Sequence, residues 1–572
     1  MRGRMDVWDV IVVGAGAAGL AAARHARQQG ASVLVINKGL VGRTGATITS
    51  GGGVSVAGST LAALGLDGDP SDTEEVFIRD MLKSGYWLCD QRLVESIVTG
   101  IGEELHFLMQ RGVKPRLSKR APGHSSGRGV GIPGPDMQKA MTTAALQSGA
   151  KFREDFFCTG LLQHDGAVVG VAGLDRRLGE AEAISARAVV IATGGTTSNW
   201  RLRTAPEELT GDGHAMALNA GAELIEMEML QFLPCCLVAP EIWRGIQFPW
   251  TIGPQAGVRA WLLNKYGERF LARWDPERME LATRDVVSAA SAAEVYEGRG
   301  SPNGGVYLSW AHLPRDIIDN FQSWAKGYKD WRYQGFDMNP LVERIRAGYA
   351  IEVAPAAHFS LGGIRVDVEG STGVPGLYAC GEATGGVHGG NRLSGNAGAQ
   401  ILVQGRQAGL AAARAAQSNQ AGAPAQNWDI LKDEIEAPFR REQGTAPLEV
   451  KQRLTAIAEE ALGPVRTGKA MTAALEEVRT IRHTTLSQLA SRNRDPRYNR
   501  DWSDALECAA GAPILEAALI SAIGRAGSIG AHQRRDLTGI KARLEHSIVR
   551  QDDGELSWRA QPVEFPLFAP AA

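Results

Sequence analysis

Three short runs, Asp9 to Val13, Ser32 to Ile36 and Ala188 to Thr193, are apolar and rich in β-branched residues without polar alternation. Such runs predict strands buried on both faces, the habit of a parallel sheet. Leu20 to Gln29, between the first two, has helical spacing, so the chain opens with a βαβ unit. Phe152 to Leu174 alternates about Asp165-Gly166 and predicts a hairpin. Residues 72 to 112 carry helical spacing, and Arg120 to Pro135 is a Gly/Pro/Ser-rich loop whose His124 either faces a site or is an ordinary hydrogen-bonded loop residue. Thr210-Gly211-Asp212-Gly213 opens a further helix, and Gly376 to Ala379 is a short strand. After a linker at Ala421 to Gln426, Leu448 to Leu489 and Leu506 to Ile523 return to helical spacing. The run Ala505 to Ile523 comes nearest to a membrane span, but Glu507, Pro513 and Glu516 interrupt it, so a buried helix is expected and no transmembrane segment.

At 572 residues the chain is too long for one core, and two or three domains are expected. Its 61 basic and 63 acidic side chains leave a net charge of −2, which argues against a nucleic-acid partner. Cys89, Cys158, Cys235, Cys236, Cys380 and Cys508 form no CxxC pair, so reduced thiols and neither a metal site nor an iron–sulfur cluster are expected. The opening MRGRMDVWDV lacks the apolar core of a signal peptide, and a cytoplasmic protein is expected.

The candidate chemistry lies in the glycine-rich segments. Gly14-Ala15-Gly16-Ala17-Ala18-Gly19 sits at the first turn of the βαβ unit, where the first Gly permits the turn, the second lets backbone approach a pyrophosphate and the third lets helix pack on strand. The second strand ends in Asn37-Lys38 instead of the acidic residue that commonly holds a ribose. From His358 to Gly409 a His precedes a Gly pair, a short strand runs into Gly381-Glu382, and His388-Gly389-Gly390-Asn391-Arg392 precedes a helix. That order suits a loop and helix N-terminus arranging N–H groups, an Arg fork and a His around an anion.

This last stretch resembles the flavoprotein subunits of succinate dehydrogenase and fumarate reductase, most closely their soluble fumarate reductase relatives, through His358, Gly362-Gly363, Gly381-Glu382, His388, Asn391-Arg392 and Asn396. The resemblance covers nearly the whole chain, weakest in the cap and the last 30 or so residues. It implies an α/β fold: an FAD-binding Rossmann-like domain at 5–240 and 351–420, an inserted α+β capping domain at 241–350, and a C-terminal helical domain at 421–572. FAD is the implied cofactor. Its implied contacts are Gly14, Gly16, Ala17, Ala18, Gly19, Asn37, Lys38, Thr44, Gly45, Ser50, Gly51, Gly52, Thr193, Gly194, Asp212, Glu382, His388, Arg392, Gly395, Asn396 and Ala397. Gly45 stands where membrane-bound relatives carry a His joined to the flavin, so attachment is expected to be non-covalent. The cap holds seven of the 13 Trp, Trp243, Trp250, Trp261, Trp274, Trp310, Trp324 and Trp331, either as ordinary core or as an aromatic pocket lining.

The same resemblance implies a substrate carboxylate held by His358 and Arg392, and a proton carried by Arg284 of Thr283-Arg284-Asp285. A cap Tyr is the fallback acid or base. The family's second carboxylate clamp is replaced: Leu233 stands for its His, and Ile252-Gly253-Pro254 and Ala256-Gly257 stand for its Thr-Glu-Gly and Arg-Gly. Arg259 nearby either substitutes in part or is a structural Arg. The expected activity is therefore FAD-dependent oxidation or reduction of a carbon–carbon bond in a carboxylic acid other than a simple C4-dicarboxylate, by hydride transfer at flavin N5. Electrons would pass to or from a separate protein, a quinone or oxygen, and a homo-oligomer is among the open options. The rivals are adenylylsulfate reductase-like or amine-oxidising chemistry, or a flavin-binding subunit with decayed activity.

Overall fold

A computed structural model describes residues 7–118, 120–248, 251–252, 258–320, 337, 339–418 and 424–570. The chain starts in β1 (Trp8–Val13), turns through Gly14 into α1 (Ala17–Gln28), and returns in β2 (Val33–Ile36). β1 and β2 are parallel neighbours whose residues are buried from Val10 onward, as their unbroken apolar runs require. β3 (Lys151–Arg153) extends this edge beside β2, and β4 (Phe156–His164), β5 (Ala167–Asp175) and β6 (Glu180–Ile191) complete the order β3-β2-β1-β6-β5-β4. β4 and β5 are the expected hairpin, with Asp165 and Gly166 both at positive φ. The strand Leu377–Ala379 joins parallel to β6, so the chain comes back to this sheet after a long excursion.

Within that excursion stands the sheet on which the cap is built. β7 (Leu230–Leu237) pairs antiparallel with the strand Ile351–Ser360, which pairs with Val306–Ser309, which in turn pairs with Trp261–Leu263. α2 (Arg284–Tyr296) packs on this sheet, and Phe248, Phe270, Val287 and Trp310 fill the core between them. Trp310 meets Phe248 edge-on, and Trp243 and Trp274 pack against the same core. Trp261 instead stacks on His312, while Tyr266 and Tyr296 are exposed. The described cap aromatics thus serve core and surface; Trp250, Trp324 and Trp331 lie outside the described residues.

From the cap the chain passes through the Gly-rich loop into α3 (Asn396–Ser418), which lies on α1. The approach is close because both helices present small residues: a Cβ on Gly405 would stand 2.4 Å from the Ala18 oxygen, and one on Gly409 2.2 Å from the Ala22 oxygen. The C-terminal part is helical over 428–440, 447–461, 468–480 and in α4 (Arg500–Gly524). α4 is long and apolar enough to cross a bilayer, and most of its apolar window is buried inside the protein. The C-terminal helical domain also carries strands that the helical spacing does not announce. Glu545–Asp552 and Glu555–Pro562 form a hairpin that pairs with Leu224–Ile225 of the cofactor domain. Asp553-Gly554 between alternating runs is the local signal for it, and the packing of Trp558 against α4 supplies the burial.

A buried ionic cluster fastens this end to the centre. Arg525 donates to Glu226 and Glu228, each at 2.6 Å, and the His546 ring lies 2.9 Å from Glu226. Breaking a buried pair leaves the partner's charge unpaired, which costs about 3–5 kcal/mol. Arg525→Met is therefore expected to lower the thermal unfolding midpoint clearly, whereas Arg414→Met, which breaks an exposed pair with Glu369, leaves it nearly unchanged. Differential scanning calorimetry checks both.

Candidate active site

At the first turn the backbone is drawn together tightly. Gly14 has φ +112, and a Cβ there would stand 2.2 Å from the Ala192 oxygen, so no side chain fits. α1 begins at Gly16 without a side-chain cap or an acidic residue in its first turn, which leaves its N-terminal amide field open to an anion. Asn37 braces the turn, accepting from the Ala15 N–H at 3.1 Å and donating to Gly39 and Thr44. Thr47 accepts the Ala17 N–H at 3.0 Å, which brings the 43–53 segment to the helix end. Gly45, at φ +86, has open space where a side chain would stand, and Ser50 turns back onto Thr47. Gly51 follows in the same loop, and Gly52 presses on the Ile132 backbone. A Cβ on Gly53 would stand 3.4 Å from Gly395 Cα, so the two Gly-rich loops meet. Gly194, at φ +79, follows Thr193, whose hydroxyl is buried without a protein partner, as is the side-chain oxygen of Asn396 at the start of α3 beside Ala397. These bare backbone surfaces and orphaned polar atoms fit a dinucleotide.

Three expected contacts, Lys38, Asp212 and His388, are engaged with protein groups. Lys38 Nζ lies 3.0 Å from Asp212 and 2.8 Å from Glu507, and also donates to Thr210. Its charge is compensated by these acids, and Asp212 gives it one carboxylate oxygen while the other stays buried and unpartnered. Sequence spacing could not show that Glu507, far along the chain on α4, reaches this point. His388 lies against Gln400 at 2.9 Å and edge-on to Phe359, and burial pushes its pKa down to about 3, so it is a neutral brace of the loop.

The anion site forms where β7, its partner strand, α2 and the Gly-rich loop converge. Gln231 faces Phe359 and Phe232 faces Ala357, so His358 is the extra residue of a β-bulge, the device that re-aims a side chain out of the ladder. Its Nδ1 lies 2.7 Å from the Thr204 hydroxyl. The following Gly362 is required by contact: a Cβ would stand 1.9 Å from the Glu226 oxygen. Arg284, the first residue of α2, donates to Gln231 at 3.0 Å and to Ser394 at 3.4 Å. Arg392 stacks over Phe359 and keeps its Nε buried without a partner. Neither guanidinium has an ion-pair partner among the described residues.

Electrostatics expresses this shortage of negative charge. Burial pushes the Arg284 pKa down to about 10. Arg392 is held well below the usual guanidinium range by burial and then by the Arg284 charge, with Glu382 opposing. His358 is held well below its ordinary value by burial, then by both arginines. Three groups that feel one another, two of them cationic, make a site for an anion. Leu233, two residues along the strand from Gln231, packs with Leu202, Cys236 and Ala356 in a small buried apolar cluster. A second bulge at Pro234-Cys235, with Cys235 at φ +64, lies next to Leu233.

Arg259 is held in the cap on the Arg278 carbonyl and makes no described hydrogen bond to this group. Residues 253–257, where the second clamp is altered, lie outside the described residues. His124 proves to be the hydrogen-bonded loop residue, its Nε2 2.9 Å from the Ser394 oxygen, which also places it behind the site. The reading of single segments missed Gln231, which donates to Asn391 and to the Arg392 oxygen while accepting from Arg284. Its position two before Leu233 was the only cue. Thr204 had none.

The profile of the FAD binding domain matches residues 9–397, and that of the fumarate reductase flavoprotein C-terminus matches 451–572. A fumarate reductase (CoM/CoB) subunit of Methanothermobacter marburgensis is 32% identical over 96% of this chain and 98% of its own. The fumarate reductase flavoprotein subunit of Mycobacterium tuberculosis is 30% identical over 98% of both. The solved structure of Mycobacterium smegmatis Sdh1 in complex with UQ1 has a TM-score of 0.85 at 28% identity, covering 98% of this chain and 95% of that one.

Glu382 accepts the Ser360 N–H at 3.0 Å, and burial pushes its pKa up to about 7 against the weaker pull of Ser360 and Arg392. Between its unfolded value and 7 the folded chain holds the extra proton, so stability falls as pH rises through that window. Glu382→Gln is expected to remove this component; unfolding midpoints measured from pH 4.5 to 7.5 in both proteins check it.

Proposed function

This chain belongs to the flavoprotein family of fumarate reductase and succinate dehydrogenase, FAD-dependent oxidoreductases acting on CH–CH bonds, and from that premise we propose that its substrate is an acid with one clamped carboxylate and a less polar far end. The observation that carries this reading is the half-buried Arg284 and the buried Arg392, neither with an acidic partner among the described residues, together with the apolar cluster at Leu233, two residues along the strand from Gln231. Arg392 offers a planar fork to the carboxylate and His358 a directed ring nitrogen. Leu233, Leu202 and Ala356 offer no side-chain donor and the Cys236 thiol donates to the Leu233 carbonyl, so a second carboxylate buried against them would lose its hydration uncompensated.

Bound FAD supplies a two-electron hydride carrier for one carbon of the bond. Arg284 holds or delivers the proton at the neighbouring carbon, and its lowered pKa, about 10, eases that exchange relative to an exposed Arg. One hydride and one proton thus account for both hydrogens, and the two electrons pass to or from a separate partner, a protein, a quinone or oxygen. Attachment of FAD is non-covalent, because Gly45 presents no side chain to bond with.

Anaerobic and steady-state assays of the FAD-loaded protein test this with fumarate, succinate, L-aspartate and a series of saturated and 2-enoic monocarboxylic acids. A monocarboxylic acid is expected to exceed fumarate and succinate by at least ~100-fold in kcat/KM, roughly 2.7 kcal/mol of discrimination. Arg392→Lys is expected to lower the productive rate about 100-fold, since a point charge replaces the fork. Efficient turnover of fumarate or succinate would overturn the proposal, and so would flavin that no acid in the series oxidises or reduces.

A further inference from the structure

The two arginines come from different parts of the fold, and something must hold them at a fixed separation against their mutual repulsion. Gln231 ties them on one side. On the other side lies the turn between the helices Glu74–Ser84 and Gln91–Gln110, where Tyr86 and Trp87 both take left-handed backbone, φ 58 and 61. Two consecutive non-glycine residues in that region persist only where surrounding contacts enforce them, and such strain gathers at functional sites.

The contacts are identifiable. The Gly390 N–H donates to the Gly85 oxygen at 2.9 Å, the Asp90 N–H to the Gly386 oxygen at 2.7 Å, and Asn391 Nδ2 to the Ser84 hydroxyl at 3.0 Å. The turn therefore grips the loop that ends in Arg392 along its length. A Cβ on Gly390 would lie 3.3 Å from Tyr86 Cδ2, so the ring rests on that loop. Its phenol then leaves the cofactor domain and donates to Asp285 Oδ2 of the cap at 2.5 Å. Asp285 is buried, follows Arg284 directly in the first turn of α2, and has no partner for its Oδ1.

We propose that Tyr86 is a positioning residue: its bond to Asp285 seats the cap helix that begins with Arg284 on the turn that grips Arg392, and so sets the bite of the two cations. This rests on the reading of Arg284 and Arg392 as the anion clamp. Tyr86→Phe keeps the ring on Gly390 and removes only the bond; Asp285→Asn keeps the shape and removes the charge.

The test uses the FAD-loaded protein, with acetate as the anion probe read through the visible flavin spectrum, and amide hydrogen exchange over residues 284–296. Tyr86→Phe is expected to weaken acetate about tenfold, roughly 1.4 kcal/mol, and to speed exchange at the start of α2, with FAD affinity changed less than about twofold. Asp285→Asn should act in the same direction, and the double variant should be no worse than the worse single one, because one bond is lost in each. Unchanged acetate affinity and unchanged exchange in both single variants would overturn the latch, as would a loss of acetate binding that merely follows loss of FAD. A wild-type protein that ignores acetate counts against the anion clamp, and exchange alone then decides the latch.

Discussion

Two guanidinium groups, Arg392 buried and Arg284 half-buried, that repel each other without an ion-pair partner among the described residues are a cost that an anionic ligand would offset. Burial and then the Arg284 charge hold Arg392 down, and both arginines depress His358. Taking a cation out of water is unfavourable unless charge or hydrogen bonds replace the lost hydration. Here the replacement is partial: Gln231 and Ser394 for one, the Phe359 face and the Leu393 carbonyl for the other, and an orphaned Nε left over. An arriving anion supplies what is lacking, so affinity is stored in the architecture.

The surrounding structure makes sense as the means of holding that arrangement. The cap contributes Arg284 from the first residue of a helix, the cofactor domain contributes Arg392 from a glycine-rich loop, and a bulge turns His358 toward both. Glycines occur where the loops must touch: Gly362 against Glu226, Gly53 against Gly395, Gly14 against Ala192. The buried Arg525, Glu226, Glu228 and His546 cluster anchors the start of β7, the strand that presents Gln231 and Leu233. In contrast to the arginine pair, these opposite charges meet directly, although Glu228 Oε2 keeps no partner, and this suits a structural joint rather than a binding site.

Local pattern was enough for the elements that depend on short-range rules. The apolar runs of β1 and β2, the Asp165-Gly166 turn and the glycines at the head of α1 each carry their own physical signature. The hairpin at 545–562 was less visible, because its pairing partner, Leu224–Ile225, is more than 300 residues away. Lys38 and Asp212 show the same limit: each type is apt for a cofactor, yet they meet each other and Glu507.

By itself the sequence determined the family and the cofactor class, since these reside in residue identity at fixed positions along short motifs. The tertiary structure alone decided which charges remain unpaired, that Gln231 and Tyr86 bridge the segments carrying the two arginines, and that Leu233 joins Leu202 and Cys236 in an apolar cluster. Compensation of charge depends on distance in space, and chain positions such as 86, 231, 284 and 392 acquire a distance only when the cap closes its sheet against the cofactor domain.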